Sequence, residues 1–174
     1  MSGNDWSLRL ARASDADDLP AIEQAAGKLF EGDPDLAEVD FDDTWEADEL
    51  RRLIGKGHCL VSECDGQIVG FIATEPFNRE LHIWEMDVLP QYQKRGIGAG
   101  LIRACQIDAR NSGISALTLT TFRDVAWNAP FYARLGFEEV TALDAHPRLA
   151  SELALEADNG LPIDRRCAMI CFLD

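Results

Sequence analysis

A short segment of the sequence has the residue types and spacing of a phosphate-binding turn. The segment Gln93–Gly98 reads QKRGIG, and apolar residues at helical spacing follow it. Because glycine lacks a Cβ, Gly96 and Gly98 allow the backbone to turn sharply and its N–H groups to approach a ligand closely. A helix that begins at Ile97 would add a dipole that favours an anion at its N-terminus. The segment therefore predicts a site for a pyrophosphate group.

Two alternatives to this interpretation stay open. Lys94 and Arg95 could add charge-assisted hydrogen bonds to a phosphate, or they could be solvated surface residues. Two glycines separated by one residue also occur in a tight turn that caps a helix and binds no cofactor. A Rossmann dinucleotide site fits less well, because the full G-x-G-x-x-G run is absent and no acidic residue follows at the distance that a ribose needs.

The surrounding sequence resembles a known family in three separate elements. Gln93–Gly98 is similar to the Gln/Arg-x-x-Gly-x-Gly/Ala signature with which the Gcn5-related N-acetyltransferase (GNAT) family grips the pyrophosphate of coenzyme A. Trp84–Pro90 resembles the strand before that signature, and Asn128–Phe137 resembles the family's Asn...Phe-Tyr...Gly-Phe element. The strand and loop before this last element are also similar to a group of bacterial members, although Ala126 stands where a proline is expected. The close resemblance covers about residues 81–140.

The resemblance implies an acetyl-CoA-dependent N-acetyltransferase that transfers acetyl to a primary amine by direct attack, without a metal. In this family the strand before the signature separates from its neighbour and its freed backbone groups hold pantetheine. An N–H near Val88 would then point at the acetyl oxygen, and such a donor is worth on the order of 3 kcal/mol to the transition state. The implied cofactor-binding residues are Met86, Asp87, Val88, Gln93, Lys94, Arg95, Gly96, Ile97, Gly98, Ala99 and Asn128.

Glu85 is the candidate general base, because members of this family often place a carboxylate on this strand beside the acceptor amine. A lysine-like amine has an unperturbed pKa of about 10.4 and must lose a proton before it attacks, here through a water. Asp87 is a rival, since side chains two residues apart on a strand share a face. The remaining alternative is that Glu85 is an exposed strand glutamate without a catalytic role.

Tyr132 is the candidate general acid and lies within the third element that resembles the family. A phenol near the sulfur could protonate a thiolate whose reference pKa is about 8.5. The alternative is a half-buried aromatic residue whose hydroxyl is bonded elsewhere. Asn128 is expected to order this turn or contact the cofactor, or to cap a helix that begins at Pro130.

Acceptor specificity is expected from three variable segments, residues 30–45, 75–79 and 123–127. The formal charge is −15, from 31 acidic and 16 basic residues. This charge favours a cationic small-molecule acceptor or a basic peptide end, although solubility or salt adaptation would explain it as well, and it disfavours nucleic acid and anionic membranes as partners. The acidic residues that could attract a cation, or form only a solvated loop, are Glu31, Asp33, Asp35, Asp42 and Asp43.

The elements that must position these residues alternate between strands and helices. The hydrophobic patterns predict strands at 8–13, 59–64, 67–74, 81–89, 116–122, 137–140 and 167–173, with a primed turn at 65–66. They predict helices from Ser14 or Asp15 to Phe30 and at 45–54, 97–111, 130–135 and 146–157. The expected fold is α/β (α+β) and GNAT-like, with a mixed, mostly antiparallel sheet of about 6–7 strands and helices on both faces. Its parallel pair would join strands 81–89 and 116–122.

Length and composition favour one domain spanning residues 1–174. No stretch is apolar enough for a membrane span and the start lacks the apolar run of a signal peptide, so we expect a cytoplasmic protein, and a homodimer is a possible assembly. The five cysteines include no CxxC and are expected to be buried thiols. A metal site built from Cys167, Cys171 and the His58–Cys59 pair is the less favoured alternative.

Other functions are compatible with the same motifs. The chain could be a non-catalytic acetyl-CoA-binding sensor or regulatory module, or an acetyltransferase that acts on protein N-termini. The glycine turn could also be purely structural, in a domain that binds no cofactor. Intact Glu85 and Tyr132 favour an enzyme.

Overall fold

The computed structural model describes residues 5–174, whose strands form one mixed sheet. The strands are β1 (Trp6–Leu10), β2 (Leu60–Cys64), β3 (Gln67–Phe77), β4 (Glu80–Val88), β5 (Ala116–Phe122), β6 (Glu138–Glu139) and β7 (Arg166–Phe172). The α-helices are α1 (Leu19–Gly27), α2 (Ala47–Ile54), α3 (Ile97–Asn111), α4 (Ala129–Ala133) and α5 (Pro147–Asp158). The seven strands follow the order β1-β2-β3-β4-β5-β7-β6, and only β4 and β5 are paired in parallel. The predicted fold class and the predicted parallel pair are confirmed.

The two faces of the sheet are covered by different helices, because side chains alternate between the faces along each strand. On one face, α3 and α4 pack over a core that includes Ile72 and Leu81. On the other face, α1 and α2 pack over Phe71 and Ala73, and α5 packs over Ala168. The sheet is therefore buried on both sides. A polar side chain in its middle costs free energy unless it forms hydrogen bonds, so such a side chain is a candidate for a functional role.

The parallel strands β4 and β5 separate after a short contact. They pair only from Glu80 to His82 on β4, opposite Ala116 to Thr118 on β5. Both strands continue beyond this point, to Val88 and to Phe122, without pairing to each other. The backbone of the second half of β4 therefore lacks a strand partner on the β5 side.

A β-bulge in β4 marks the point where this separation begins. Ala73 of β3 lies opposite Glu85, whereas the next residue, Thr74, lies opposite Ile83. Trp84 is therefore the extra residue of the bulge, and a bulge bends and twists the strand that contains it. The bulge re-aims the Glu85–Val88 segment relative to the first half of the strand.

The predicted starts of the first helix and of the first strand are both wrong. Ala13–Asp18 forms a 3-10 helix, and the α-helix begins only at Leu19. Pro20 lies in the first turn of α1, where its missing N–H has no partner to lose, and it would interrupt a helix that began at Ser14. The first strand also begins earlier than predicted, at Trp6.

Two predicted strands have the wrong length. β3 continues to Phe77 although it contains Pro76. Because β2 begins at Leu60, opposite Ile72, no strand on that side of β3 needs the N–H that proline lacks. The predicted strand at 137–140 is reduced to Glu138–Glu139 at the edge of the sheet.

The five cysteines are free and buried, as predicted. Over residues 5–174, no helix is long and apolar enough to cross a membrane. The expectation that the chain does not start with a signal peptide includes residues 1–4, which lie outside the described residues.

Candidate functional site

The Gln93–Gly98 turn presents a row of backbone N–H groups at the start of α3. Lys94 and Gly96 both have positive φ, at 62° and 84°, and the helix begins directly after Gly96. Within residues 5–174, no group accepts a hydrogen bond from the backbone N–H of any residue from 94 to 99, whereas the N–H of Gly100 donates to the carbonyl of Gly96 at 2.9 Å. Successive N–H groups in such a conformation form a concave anion-binding surface. The turn thus has the geometry that a diphosphate requires.

The side chains of the turn mostly hold the turn itself. Gln93 Nε2 donates to the carbonyl of Val88 at 3.0 Å, which ties the turn to the end of β4. The Arg95 guanidinium lies 5.0 Å from the ring of Tyr92 and donates to the carbonyl of Gln91 at 3.2 Å. The predicted contacts of these side chains with phosphate therefore compete with bonds inside the protein.

The three elements that the sequence singled out meet at the start of α3. A Cβ added to Gly98 would lie 3.5 Å from Phe131 of α4 and 3.7 Å from the Sδ of Met86 on β4. These are ordinary van der Waals distances, so the first turn of α3 packs directly against both elements. The predicted cofactor-binding backbone of Met86–Val88 consequently lies beside the glycine turn, at the opening between β4 and β5.

Glu85 and Asp87 form a largely buried carboxyl pair on one face of β4. They lie opposite Ala73 and Phe71 of β3, both of which belong to the core beneath α1 and α2. Burial raises the pKa of Glu85 well above its usual value, and the negative charge of Asp87 raises it further. Burial also raises the pKa of Asp87 to about 7, although its interaction with Glu85 works against that shift. Because the negative charge of Asp87 opposes ionisation of Glu85, the two groups titrate as a pair and hold one proton between them near neutral pH.

A third carboxyl group, from Glu23 of α1, lies near this pair and was not predicted from the sequence. Its Oε2 accepts a hydrogen bond from the backbone N–H of Trp45 at 2.9 Å. Burial and, secondarily, the charge of Glu85 raise its pKa to about 8. One signal could have identified it, because Glu23 stands four residues after Leu19 and three before Ala26 in the apolar stripe of α1.

The partly buried carboxyl of Glu23 predicts a pH-dependent cost to folding. The folded protein holds this proton more tightly than an unfolded chain whose pKa is near 4.5, so the free energy of unfolding falls as the pH rises from about 4.5 to about 8. Glu23→Gln removes the titration and keeps an acceptor for the Trp45 N–H. We expect calorimetry to give the variant a Tm about 2–6 °C above wild type at pH 8 and a nearly equal Tm at pH 5. The exposed Glu49→Gln is the control, and an equal pH dependence in all three proteins would contradict the assignment.

Tyr132 places a buried phenol near the carboxyl pair. Its ring packs against Phe131 and Phe137, with centroids 5.2 and 5.6 Å away. Burial raises the pKa of the Tyr132 hydroxyl well above its ordinary value, and the charges of Glu85 and Asp87 raise it further. In the described part of the chain, no side chain or carbonyl forms a hydrogen bond with this hydroxyl, so the proton of Tyr132 is not committed to another group.

Asn128 orders the turn that carries Tyr132. Its Oδ1 accepts hydrogen bonds from Thr121 Oγ1 at 2.7 Å and from the backbone N–H of Phe122 at 3.4 Å. The alternative that its side chain caps the helix at Pro130 is wrong, because no such bond forms. A cofactor contact from its amide NH₂ group stays a prediction.

An aromatic cluster forms a wall between two of the segments expected to choose the acceptor. Phe30 stacks on Phe41 with ring centroids 4.7 Å apart. It also lies 5.5 Å from Phe122 and 5.8 Å from the half-exposed Trp127. The segments 30–45 and 123–127 therefore meet side by side.

Arg165 ties these two segments together, and the sequence did not predict this role. Its Nη2 lies 2.7 Å from Asp33 Oδ2, and its Nε lies 3.1 Å from Asp124 Oδ2. The guanidinium also lies 5.7 Å from the ring of Phe122. Because the Asp33 carboxylate is paired with Arg165, it is not free to attract an acceptor, as its place in the acidic loop had suggested. Asp35 lies within 3.9 Å of the same guanidinium.

The third segment expected to choose the acceptor, residues 75–79, is largely part of the sheet. Glu75 to Phe77 belong to β3, and only Asn78 and Arg79 form the turn to β4. The Glu75 carboxylate is buried and accepts ion pairs from Arg52 at 3.1 Å and Lys56 at 3.4 Å. The residues of segment 75–79 are thus accounted for by sheet pairing and ion pairs, without any contact with an acceptor.

Comparison with known proteins agrees with this geometry. Residues 55–139 match the family described as Acetyltransferase (GNAT) domain. The N-alpha-acetyltransferase RimI of Mycobacterium tuberculosis is 29% identical over 131 residues, which cover 70% of this chain and 80% of that protein. A GNAT family acetyltransferase of Brucella melitensis, crystallised with acetyl-CoA, is 26% identical with a TM-score of 0.58, and the match covers 76% of this chain and 82% of that one.

A more complete structural match has lower sequence identity. The PaiA N-acetyltransferase of Thermoplasma acidophilum, solved with coenzyme A, superposes with a TM-score of 0.71 over 96% of this chain and 98% of that one. At 16% identity this likeness shows the shared fold alone. Residues 55–139 match the GNAT family of acetyltransferases in sequence, and the chain shares the fold of that family.

Proposed function

We propose that the chain transfers the acetyl group of acetyl-CoA to a primary amine by direct attack of the amine nitrogen on the thioester. One observation carries this proposal: the unpartnered N–H groups of residues 94–99 lie next to the unpaired edge of β4. The first feature suits the diphosphate of a nucleotide thioester, and the second suits the amide groups of its pantetheine arm. The residues present therefore fit acetyl-CoA as a substrate.

The carboxyl pair supplies the base of the proposed reaction. An ammonium group cannot attack, so its proton passes to Glu85, through a water, or to Asp87. Because the pair shares a proton, the more acidic partner carries the charge near neutral pH, and Glu85 and Asp87 work as one unit. As the nitrogen–carbon bond forms and the carbon–sulfur bond breaks, a backbone N–H near Val88 stabilises the carbonyl oxygen.

Tyr132 supplies the acid of the proposed reaction. The departing thiolate needs a proton, and a phenol that stays protonated at alkaline pH can provide one. The Tyr132 hydroxyl recovers its proton from solvent or from the carboxyl pair, which has just received one from the amine. The sequence of transfers leaves the enzyme unchanged.

A small cationic amine is the acceptor class that we favour. The net charge of −15 attracts cations over long distances, and Glu23, Glu85 and Asp87 give the site its own carboxyl groups. An aromatic wall that includes Phe30 and Trp127 could contact the apolar part of such an amine. The α-amine of a peptide is the second candidate, because the relative that is 29% identical is named an N-alpha-acetyltransferase.

Two experiments test the proposal in order. A thermal-shift titration with coenzyme A comes first: a ligand at about 100 times its Kd stabilises the folded state by about 2.7 kcal/mol, or about 5–10 °C in Tm. No shift at saturating coenzyme would contradict a cofactor site. Thiol release from acetyl-CoA is then measured with polyamines, aminoglycosides, amino acids and peptides with free or blocked N-termini. Binding without transfer to any of these amines would favour the sensor function instead.

A further inference from the structure

Trp6, on the edge strand β1, reaches the glycine turn from a distant part of the sequence. Its indole Nε1–H donates a hydrogen bond to the backbone carbonyl of Arg95 at 3.2 Å, across a sequence separation of 89 residues. No other group in residues 5–174 donates to that carbonyl. Among the described residues, this hydrogen bond and that of Gln93 to Val88 are the two side-chain hydrogen bonds that tie the turn to the sheet.

The indole occupies space that the missing side chain of Gly100 leaves open. A Cβ added to Gly100 would lie 2.7 Å from Trp6 Cη2, closer than real contacts allow, and a Cβ added to Gly96 would lie 3.9 Å from Trp6 Cζ2. Gly100 lies inside α3, where glycine is less favourable than alanine. The residue with low helix propensity, Gly100, therefore lies where the Trp6 ring packs against α3.

The hydrogen bond fixes the orientation of one peptide unit. In a trans peptide the carbonyl of Arg95 and the N–H of Gly96 point in opposite directions. Because the carbonyl points to Trp6, the N–H of Gly96 points away from it, with no acceptor among the described residues. Rotation of this peptide would replace an N–H with a carbonyl oxygen, which repels an anion.

We infer that Trp6 is a positioning residue for diphosphate binding, which holds the Arg95–Gly96 peptide with its N–H directed at the cofactor. The inference rests on the proposed function, because it assumes that this turn receives the diphosphate of coenzyme A. Trp6 does not contact the cofactor in this arrangement. It acts through the peptide that does.

Trp6→Phe tests this inference, since phenylalanine keeps an aromatic ring and loses the N–H. One hydrogen bond contributes about 0.5–1.5 kcal/mol, so we expect the Kd for coenzyme A, measured by calorimetry, to rise about three- to tenfold. Pantetheine lacks the diphosphate, so its affinity should stay the same. In a second pair of variants, Gly100→Ala should weaken coenzyme A binding in the wild-type background and have little further effect in a Trp6→Ala background.

The controls separate this inference from general destabilisation and from the proposed function. Leu149→Ala creates a cavity in the separate cluster under α5 and should leave both affinities unchanged. If wild type binds coenzyme A and Trp6→Phe binds it equally well, or if pantetheine and coenzyme A lose affinity equally, the positioning role is overturned. If wild type does not bind coenzyme A at all, the proposed function fails and this inference fails with it.

Discussion

Replacing Glu85 with glutamine is expected to lower kcat for acetyl transfer by about 10²- to 10³-fold and to flatten its rise with pH. General-base catalysis contributes about this much, and glutamine keeps the size and hydrogen bonding of the side chain without its basicity. The wild-type kcat should rise as the pH passes through about 7, because a fully protonated carboxyl pair must lose one proton before it can accept the proton of the amine. The kcat profile is the measurement to use, since kcat/KM also rises as the free amine deprotonates.

Asp87→Asn completes this experiment because the two carboxyl groups titrate together. A loss of similar size in both variants, with no further loss in the double variant, is expected if Glu85 and Asp87 act as one unit. Glu138→Gln makes the same chemical change on the exposed strand β6 and serves as the control. A wild-type pH profile in Glu85→Gln would remove Glu85 from the role and leave Asp87 as the base.

Replacing Tyr132 with phenylalanine is expected to lower kcat by about 10²-fold while the Kd for coenzyme A stays unchanged. The ring remains in its packing between Phe131 and Phe137, and only the proton donor is lost. The raised pKa of Tyr132 adds a second expectation, because a phenol that holds its proton keeps kcat on a plateau up to about pH 10.

Binding and rate measurements together separate the two roles that Tyr132 could have. A loss of coenzyme A affinity with an unchanged kcat would mean that the hydroxyl serves the packing of the site. A wild-type kcat that declines well below pH 10 would also argue against Tyr132 as the acid. Both measurements use the intact protein, and its thermal unfolding shows whether the variant is folded.

The parts of the fold that depend on local sequence were predicted well. The bounds of α3 and β5 were correct, because helical periodicity followed by Gly113 and a β-branched apolar run are signals contained within each segment. The turn at residues 65–66 was also predicted, and both of its residues have positive φ, as a type I′ turn requires. The glycine turn belongs to the same class, since its geometry is determined by adjacent residues.

The parts of the site that depend on strand pairing could not be predicted. The bulge at Trp84 is defined by the pairing register of β3 and β4, and no residue type in β4 indicates it in the sequence. Trp6 and Arg165 bond to residues 89 and 132 positions away in the chain, so the sequence near each of them gives no sign of a partner. Glu23 carried a local signal, yet its proximity to Glu85 needs the packing of α1 on the sheet.

The bonding of Arg165 to both Asp33 and Asp124 has an evolutionary consequence. A substitution in one of the segments 30–45 and 123–127 would disturb the other segment through the shared Arg165 guanidinium. Single substitutions that adapt the site to a new amine should therefore be more damaging than combinations of them. The effect of a substitution at position 33, 124 or 165 would then depend on the residues at the other two positions. This dependence would limit the order in which a change of substrate preference can be acquired. Homologues that acetylate different amines should exchange these three positions as a set.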